Sequence, residues 1–180
     1  MNQEKTDILI IGLGLAGMTA AITAANKGKQ VIIITKTKSI SSGSTPWAQG
    51  GIVYKGIKDS PEKLKKDILK AGAGHCWEEA VEHLCNHGPR LVKEILINML
   101  KTEFDKENNE LSRVSEGAHS EPRVIYKADK TGQSIHKAAL TYLVSLKNVK
   151  ILANHTAIDL LTFSHHSTVS TDIYKKPACL

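Results

Sequence analysis

Along the hydrophobic and polar positions of the chain, the first regular feature is the run Asp7 to Ile11, apolar after its first residue and too short for an independent helix. Beside a glycine-rich turn it predicts a buried parallel strand. A helix is predicted from about Ala16 to Asn26, with Gly28 where a C-cap glycine belongs, then a β-branched strand over Gln30 to Thr35. Together they make one βαβ unit. Residues 37–60, rich in Ser, Gly and Thr and without helical or strand period, predict a long loop, and long loops inside compact domains are usually functional. Ser60-Pro61 supplies an N-cap and first-turn proline for a helix to about Lys70. Trp77 to Asn86 reads as a helix closed by Gly88, and Pro89 to about Lys101 as another. Residues 102–123 read as polar and irregular, Gly132 to Leu146 as an amphipathic helix, and Val149 to Leu161 as a third strand region bent at Asn154-His155-Thr156. The hydroxyl-rich tail from Thr162 predicts the start of an exposed antiparallel ribbon. The fold class is α/β and Rossmann-like.

Composition narrows this little: 41% hydrophobic and 23% charged residues in 180 describe an ordinary globular protein. The charge of +6 comes from Lys spread along the chain, with only three Arg. Without an Arg and aromatic stripe it reads as solvated surface that tolerates acidic metabolites, and no nucleic-acid partner is expected. Cys76, Cys85 and Cys179 are odd in number and irregularly spaced, which argues for a reducing, cytoplasmic compartment. The uncharged stretch Ile8 to Ala25 is interrupted by Gly12, Gly14 and Gly17 and filled with alanine, so no membrane span is expected. His83 and His87 share a helix face, but Cys85 points elsewhere and no third ligand has suitable spacing, so no metal is expected.

The chemistry-bearing motif is Gly12-Leu13-Gly14-Leu15-Ala16-Gly17. The first glycine permits the turn out of the strand, the second lets backbone approach a pyrophosphate, and the third lets helix and strand pack closely. The N–H groups around Leu15 and Ala16 then face the phosphates at the positive end of the helix dipole. Residues 6–36 are therefore read as holding the ADP half of a dinucleotide. The acid that normally ends the second strand and binds a ribose is missing from Ile34-Thr35-Lys36, which weakens a generic NAD-dehydrogenase reading and leaves Lys36 to meet the cofactor.

The glycine turn, Lys36, and the loop Ser44-Thr45-Pro46-Trp47-Ala48-Gln49-Gly50-Gly51 resemble the flavoprotein family of succinate dehydrogenases, fumarate reductases and L-aspartate oxidases. The resemblance implies a glutathione-reductase-type FAD-binding domain, with that loop wrapping the flavin. Ser44 stands where the dehydrogenases carry the histidine that links covalently to FAD, so the flavin is expected to be noncovalent. Asp67-Ile68-Leu69-Lys70-Ala71-Gly72-Ala73-Gly74-His75-Cys76 and Ser115-Glu116-Gly117-Ala118-His119 are similar to segments of the L-aspartate oxidases, which implies that Glu116 orients the substrate's α-ammonium. Arg123 to Gly132 resembles another family run, with Tyr126 where oxidases more often have histidine. Arg123 and Asp129 read equally as a structural ion pair or as residues with a substrate role. Ala157, assigned to the third strand, would meet the adenine through its backbone.

The implied organisation is a βαβ unit at 6–36, a flavin-wrapping loop at 37–60, a mostly helical insertion at 61–146 carrying a substrate-recognition loop at 112–123, and a third strand at 147–161. The family's catalytic arginine, capping domain and C-terminal helices would lie beyond Leu180, so the domain is read as incomplete at its C-terminus and the chain as an amino-terminal piece. The implied activity is FAD-dependent oxidation of L-aspartate to iminoaspartate in NAD biosynthesis, with oxygen or fumarate as electron acceptor and quinolinate synthase consuming the product. Two alternatives stand beside it: a fumarate reductase or succinate dehydrogenase-type flavoprotein, and a non-catalytic nucleotide-binding module.

Overall fold

The structure, a computed structural model, describes residues 3–175. β1 (Ile8–Ile11), α1 (Leu15–Asn26) and β2 (Val31–Thr35) form the predicted βαβ unit. β1 lies parallel to β2, Ile8 opposite Val31 and Ile11 opposite Ile34. β2 lies parallel to β7 (Val149–Ala153), Val31 opposite Val149, which gives the strand order β1-β2-β7. As the central strand, β2 buries Val31, Ile32 and Ile33. β1 was expected to be buried but is open: Leu9 is 51% and Ile11 56% exposed, because among the described residues β1 pairs with β2 alone. Gly28, at φ +78, ends α1 as predicted.

α4 (Thr131–Ser145) joins α1 and β2 in the main core, where Met18, Ala21 and Ile22 meet Ile33, Ile135, Ala139 and Leu143. The alanines let the helices approach closely, and the larger side chains fill the space between. Asn148 fastens β7 to the end of α1 by donating its amide to the carbonyls of Ala25 and Lys29, at 2.9 and 2.7 Å.

Several predicted boundaries move. α2 (Pro61–Gly72) starts as expected, with Ser60 Oγ accepting from the Lys63 N–H, and packs on α3 (Glu78–Leu91) through Leu64, Val81 and Cys85. Gly88 does not close a helix. It stays helical and its carbonyl accepts from the Val92 N–H, so α3 runs through Pro89 and continues as a π-helix over Val92–Met99. Proline removes only its own N–H from the ladder, and the widened turns that follow absorb the misfit. Within the stretch expected to be irregular, β4 (Lys106–Glu107) and β5 (Glu110–Leu111) form a small hairpin, because Asn108 and Asn109 both take the left-handed conformation that such a turn demands. β3 (Ile52–Val53) pairs antiparallel with β6 (Val124–Ile125).

The third strand ends at Ala153. Asn154, at φ +57, bends the chain, the N–H groups of Asn154 and His155 still donate to the Thr37 and Thr35 carbonyls at 3.2 and 3.0 Å, and among the described residues no later segment joins the sheet. The ribbon expected from Thr162 is instead α5 (Phe163–His166) and a 3₁₀ turn at Ser170–Tyr174. Short hydroxyl and histidine side chains satisfy local backbone groups there, as when the Thr162 N–H donates to His166 Nδ1, which favours turns over a ladder. Cys76 and Cys85 are free thiols, and Cys179 lies outside the described residues. Among the described residues, no helix is long and apolar enough to cross a membrane and no three His, Cys, Asp or Glu side chains group to hold a metal ion.

Arg123, fully buried, joins these parts. Its Nε and Nη2 donate to the two carboxylate oxygens of Asp59, both at 2.8 Å, and its Nη1 donates to Asp67 Oδ2 at 2.6 Å. The expected pair with Asp129 does not form: a buried guanidinium needs carboxylates at both edges of its planar fork, and Asp59 and Asp67 supply them. Asp67 Oδ2 also accepts from the N–H and hydroxyl of Ser120, at 2.8 Å each. The Ser120 backbone N–H and the Arg123 guanidinium hold the Asp67 carboxyl down at about 2, and Arg123 likewise lowers that of Asp59.

A carboxyl lowered in the folded state contributes stability that is full above the ordinary carboxylate range of about 4 and is lost as pH falls through its folded value. Urea unfolding midpoints therefore fall as pH drops from about 4 to about 2. Asp67→Asn costs about 3–5 kcal/mol at neutral pH by leaving Arg123 half-paired, and flattens that acid limb. An unchanged acid limb in the variant would exclude Asp67 as its source.

Candidate functional site

The site begins where β1 turns into α1. Gly12, at φ +103, makes the turn, and its N–H donates to the Ile34 carbonyl at 2.9 Å. A side chain at position 17 would run into the Gly12 carbonyl, so glycine there is what lets α1 lie against the turn. Around Gly12 and Gly14 there is room. No atom lies within 4 Å of where a Cβ on Gly12 would stand, and the nearest to one on Gly14 is Thr45 Oγ1 at 3.7 Å. Leu13 points into the core, while Leu15 and Ala16 open the helix at its partly positive end.

Gly14 is the N-cap of α1 and has no side chain with which to cap it. Thr45, thirty residues on, does so: its Oγ1 accepts from the Leu15 N–H at 3.2 Å. Ser44 starts a 3₁₀ turn over Thr45–Trp47, with Pro46 in its first positions, and the Ala48 N–H closes it on the Thr45 carbonyl at 3.2 Å. The same turn receives α4. The Gly132 N–H donates to the Ala48 carbonyl at 2.9 Å, and a side chain on Gly132 would overlap the Thr45 carbonyl. The N-terminal ends of two helices thus meet one turn.

Beyond it, Gln49 and Gly50 are exposed, and Gly51 leads into β3, packed so closely on Val124 and Ile125 that a Cβ has no place. Glu116 approaches from the opposite side, its carboxylate oxygens 3.5 and 3.7 Å from where a Cβ on Gly50 would be. The Glu116 carbonyl accepts from the His119 N–H at 3.1 Å, and Gly117 adopts φ +52 between them. Ser120, one residue further, is held by Asp67, so the buried Arg123 cluster fixes the base of the loop that carries Glu116.

The structure therefore links the glycine turn, Ser44–Gly51 and Glu116 in series, through the Leu15–Thr45 hydrogen bond and the Gly50–Glu116 contact. Lys36 is exposed and directly follows β2, at the same end of the parallel sheet as Gly12. Ala157 is not in a strand: it lies four residues past β7, exposed in an extended segment that borders a shallow groove with Asp159 and Thr162. Sequence reading missed the capping by Thr45, the docking of Gly132 and the roles of Asp59 and Asp67. The available signal for Asp67 was its place three residues after Leu64 on the apolar side of an amphipathic helix.

The open space over Gly12 and Gly14 at the N-terminus of α1 has room for a pyrophosphate, although the Leu15 N–H, expected to face the phosphates, donates instead to Thr45 Oγ1. The Glu116 carboxylate lies against Gly50 of the same loop.

Comparison with known proteins agrees with this geometry. The family model described as FAD binding domain matches residues 7–178. L-aspartate oxidase of Halobacterium salinarum is 39% identical over 161 residues, 89% of this chain and 31% of that protein. L-aspartate oxidase of Synechocystis sp. is 34% identical, again over 89% of this chain and 28% of the relative. The chain thus spans about a third or less of the length of the curated relatives it matches. Among solved structures, the Mycobacterium smegmatis Sdh1 complex in its apo form overlays 89% of this chain, and 30% of its own, with a TM-score of 0.82 at 23% identity. A variant of E. coli quinol fumarate reductase overlays the same share of this chain, and 28% of its own, with the same TM-score and identity. The fold of the matched part of those proteins is present here, and with the match over residues 7–178 the chain belongs to the FAD binding domain family.

Proposed function

We propose that this chain supplies the nucleotide-binding and flavin-wrapping part of an enzyme that oxidises L-aspartate to iminoaspartate in NAD biosynthesis. The observation that carries the reading is Glu116 set against Gly50, an anion beside the loop read as wrapping the flavin. Gly12, Leu13, Gly14, Leu15, Ala16, Gly17 and Lys36 hold the ADP half. Ser44, Thr45, Pro46, Ala48, Gln49, Gly50 and Gly51 wrap the isoalloxazine, with Trp47 contributing its backbone while its side chain borders the groove behind the turn, and Ala157 lies toward the adenine. The Ser44 hydroxyl cannot make the link that a histidine makes, so FAD is held noncovalently. Held by these residues, FAD would supply the hydride acceptor for oxidation at the substrate's Cα. Glu116 receives the α-ammonium and is left without a partner by dicarboxylates that lack one, which sets the preference for aspartate over succinate or fumarate.

The division into 6–36 binding ADP, 37–60 wrapping the flavin, 61–146 as a mostly helical insertion bearing the substrate loop, and 147–161, of which Val149–Ala153 is the third strand, belongs to the same proposal. So do oxygen or fumarate as electron acceptor, quinolinate synthase as consumer of the product, and a cytoplasmic setting without nucleic-acid or membrane partners. The likeness to L-aspartate oxidases over 89% of the chain supports aspartate as the substrate.

Titrating the chain with FAD, while following flavin absorbance and the thermal midpoint together, tests the first half. Saturable binding that raises the midpoint is expected, and a cooperative melt that FAD leaves unmoved would sink it. Thr45→Val, which removes the cap from α1, weakens FAD binding by up to about tenfold, whereas Thr45→Ser keeps it. For the second half, the visible spectrum of the FAD-loaded protein should respond to L-aspartate at lower concentration than to succinate. Glu116→Gln reduces that preference by roughly tenfold or more, and an unaltered preference would remove Glu116 from recognition.

A further inference from the structure

Behind the 3₁₀ turn, away from Glu116, lies an open groove of about 1060 Å³ between α4, the turn and the segment Met99–Glu103. Its lining includes Pro46 and Trp47 but none of the glycines of the β1–α1 turn, nor Lys36 or Glu116. Four lysines border it: Lys101, Lys127, Lys130 and Lys137. Lys127 is paired with Asp105 at 3.1 Å, whereas Lys101, Lys130 and Lys137 have no acidic partner among the described residues. The one acid in the lining is the exposed Glu103. His136 also borders the groove, but burial lowers its pKa and keeps it neutral, so the local charge comes from the lysines.

One feature makes this more than a basic surface. Trp47, a large flat indole, stands 81% exposed in the lining. Lys101, which also lines the groove, takes the left-handed conformation, φ +52, common just past a helix end, here that of the π-helix Val92–Met99. Three unpaired ammonium groups call for a ligand with several negative charges, and the indole calls for a planar ring. A groove this large exceeds what a small aromatic acid would fill.

We propose that this groove binds a nucleoside polyphosphate, its base against Trp47 and its phosphates among Lys101, Lys130 and Lys137. Because Trp47 and Thr45 belong to one turn, and Thr45 caps the helix at which FAD is proposed to bind, the two ligands are coupled: occupancy of the groove changes FAD affinity, and FAD changes the groove's affinity by the same factor. The groove's own ligand does not depend on the FAD reading; only the coupling rests on it.

The test is a calorimetric titration of the chain with ATP and, separately, with inorganic tripolyphosphate, each with and without saturating FAD. ATP is expected to bind saturably in both conditions, more tightly than tripolyphosphate. Lys130→Ala/Lys137→Ala, whose sites are exposed and accept alanine, should weaken both ligands about tenfold or more. Trp47→Ala should weaken ATP while leaving tripolyphosphate unchanged. Four results would each overturn the proposal: no ATP binding to protein with a cooperative melt; equal affinity for the two ligands with no effect of Trp47→Ala; indifference to the lysine pair; or ATP binding that FAD abolishes and the lysine pair leaves intact, which would place ATP in the ADP half of the flavin site. If FAD itself fails to bind, the lysine and tryptophan variants still read the groove alone, so failure of the flavin reading and failure of the groove are told apart.

Discussion

The structure depends on one short turn held between two helices. Thr45–Ala48 has the N-terminal ends of α1 and α4 directed onto it, one through the threonine hydroxyl and the other through the Ala48 carbonyl. Backbone donors at a helix start need acceptors, and here a loop provides them where neither helix carries its own side-chain cap. This gives the long loop after β2 a fixed path. Gly132 is part of the constraint, since any larger residue would push α4 off the turn and open the core shared by Ile135, Ala139 and Ile22.

The second constraint is the buried Arg123 cluster. Removing three charged groups from water is costly, and the cost is offset only because the guanidinium is bidentate to Asp59, bonded to Asp67, and Asp67 is further satisfied by Ser120. Such a cluster tolerates little rearrangement. It joins the segment before α2, α2 itself and the base of the Glu116 loop, so the precision of that loop comes from a charge network below it.

What was legible in the sequence was local. The strand, glycine turn, helix and strand were readable because each signal, from the β-branched run to Gly28, acts within a few residues. The loop Ser44–Gly51 was readable as a motif, and its position beside the glycine turn followed from the resemblance. What could not be read were pairings across distance. Thr45 as cap of α1, Asp67 rather than Asp129 as partner of Arg123, and Ser120 on Asp67 join residues far apart in the chain, and nothing in the local pattern names the partner. Gly88 and Pro89 misled because glycine often closes a helix and proline often opens one, whereas here the tertiary contacts of Val92 and Leu96 carry the chain onward in widened turns. Ala157 was placed in the sheet because its neighbours are apolar, but Asn154 takes a left-handed bend before them.

The fastening of β7 to the rest of the sheet bears on how the molecule is made. Asn148 bonds to carbonyls 123 and 119 residues earlier in the chain, and β2 finds its second neighbour only when β7 has been synthesised. During translation the first βαβ unit emerges early, with Val31 and Ile33 on a strand that lacks one of its partners. Long-range parallel pairing is slow to form, because loop closure must precede the contacts that reward it. Until β7 has emerged the nascent chain therefore presents an apolar strand with an open edge, and it is in that interval that a chaperone would have its greatest effect on yield.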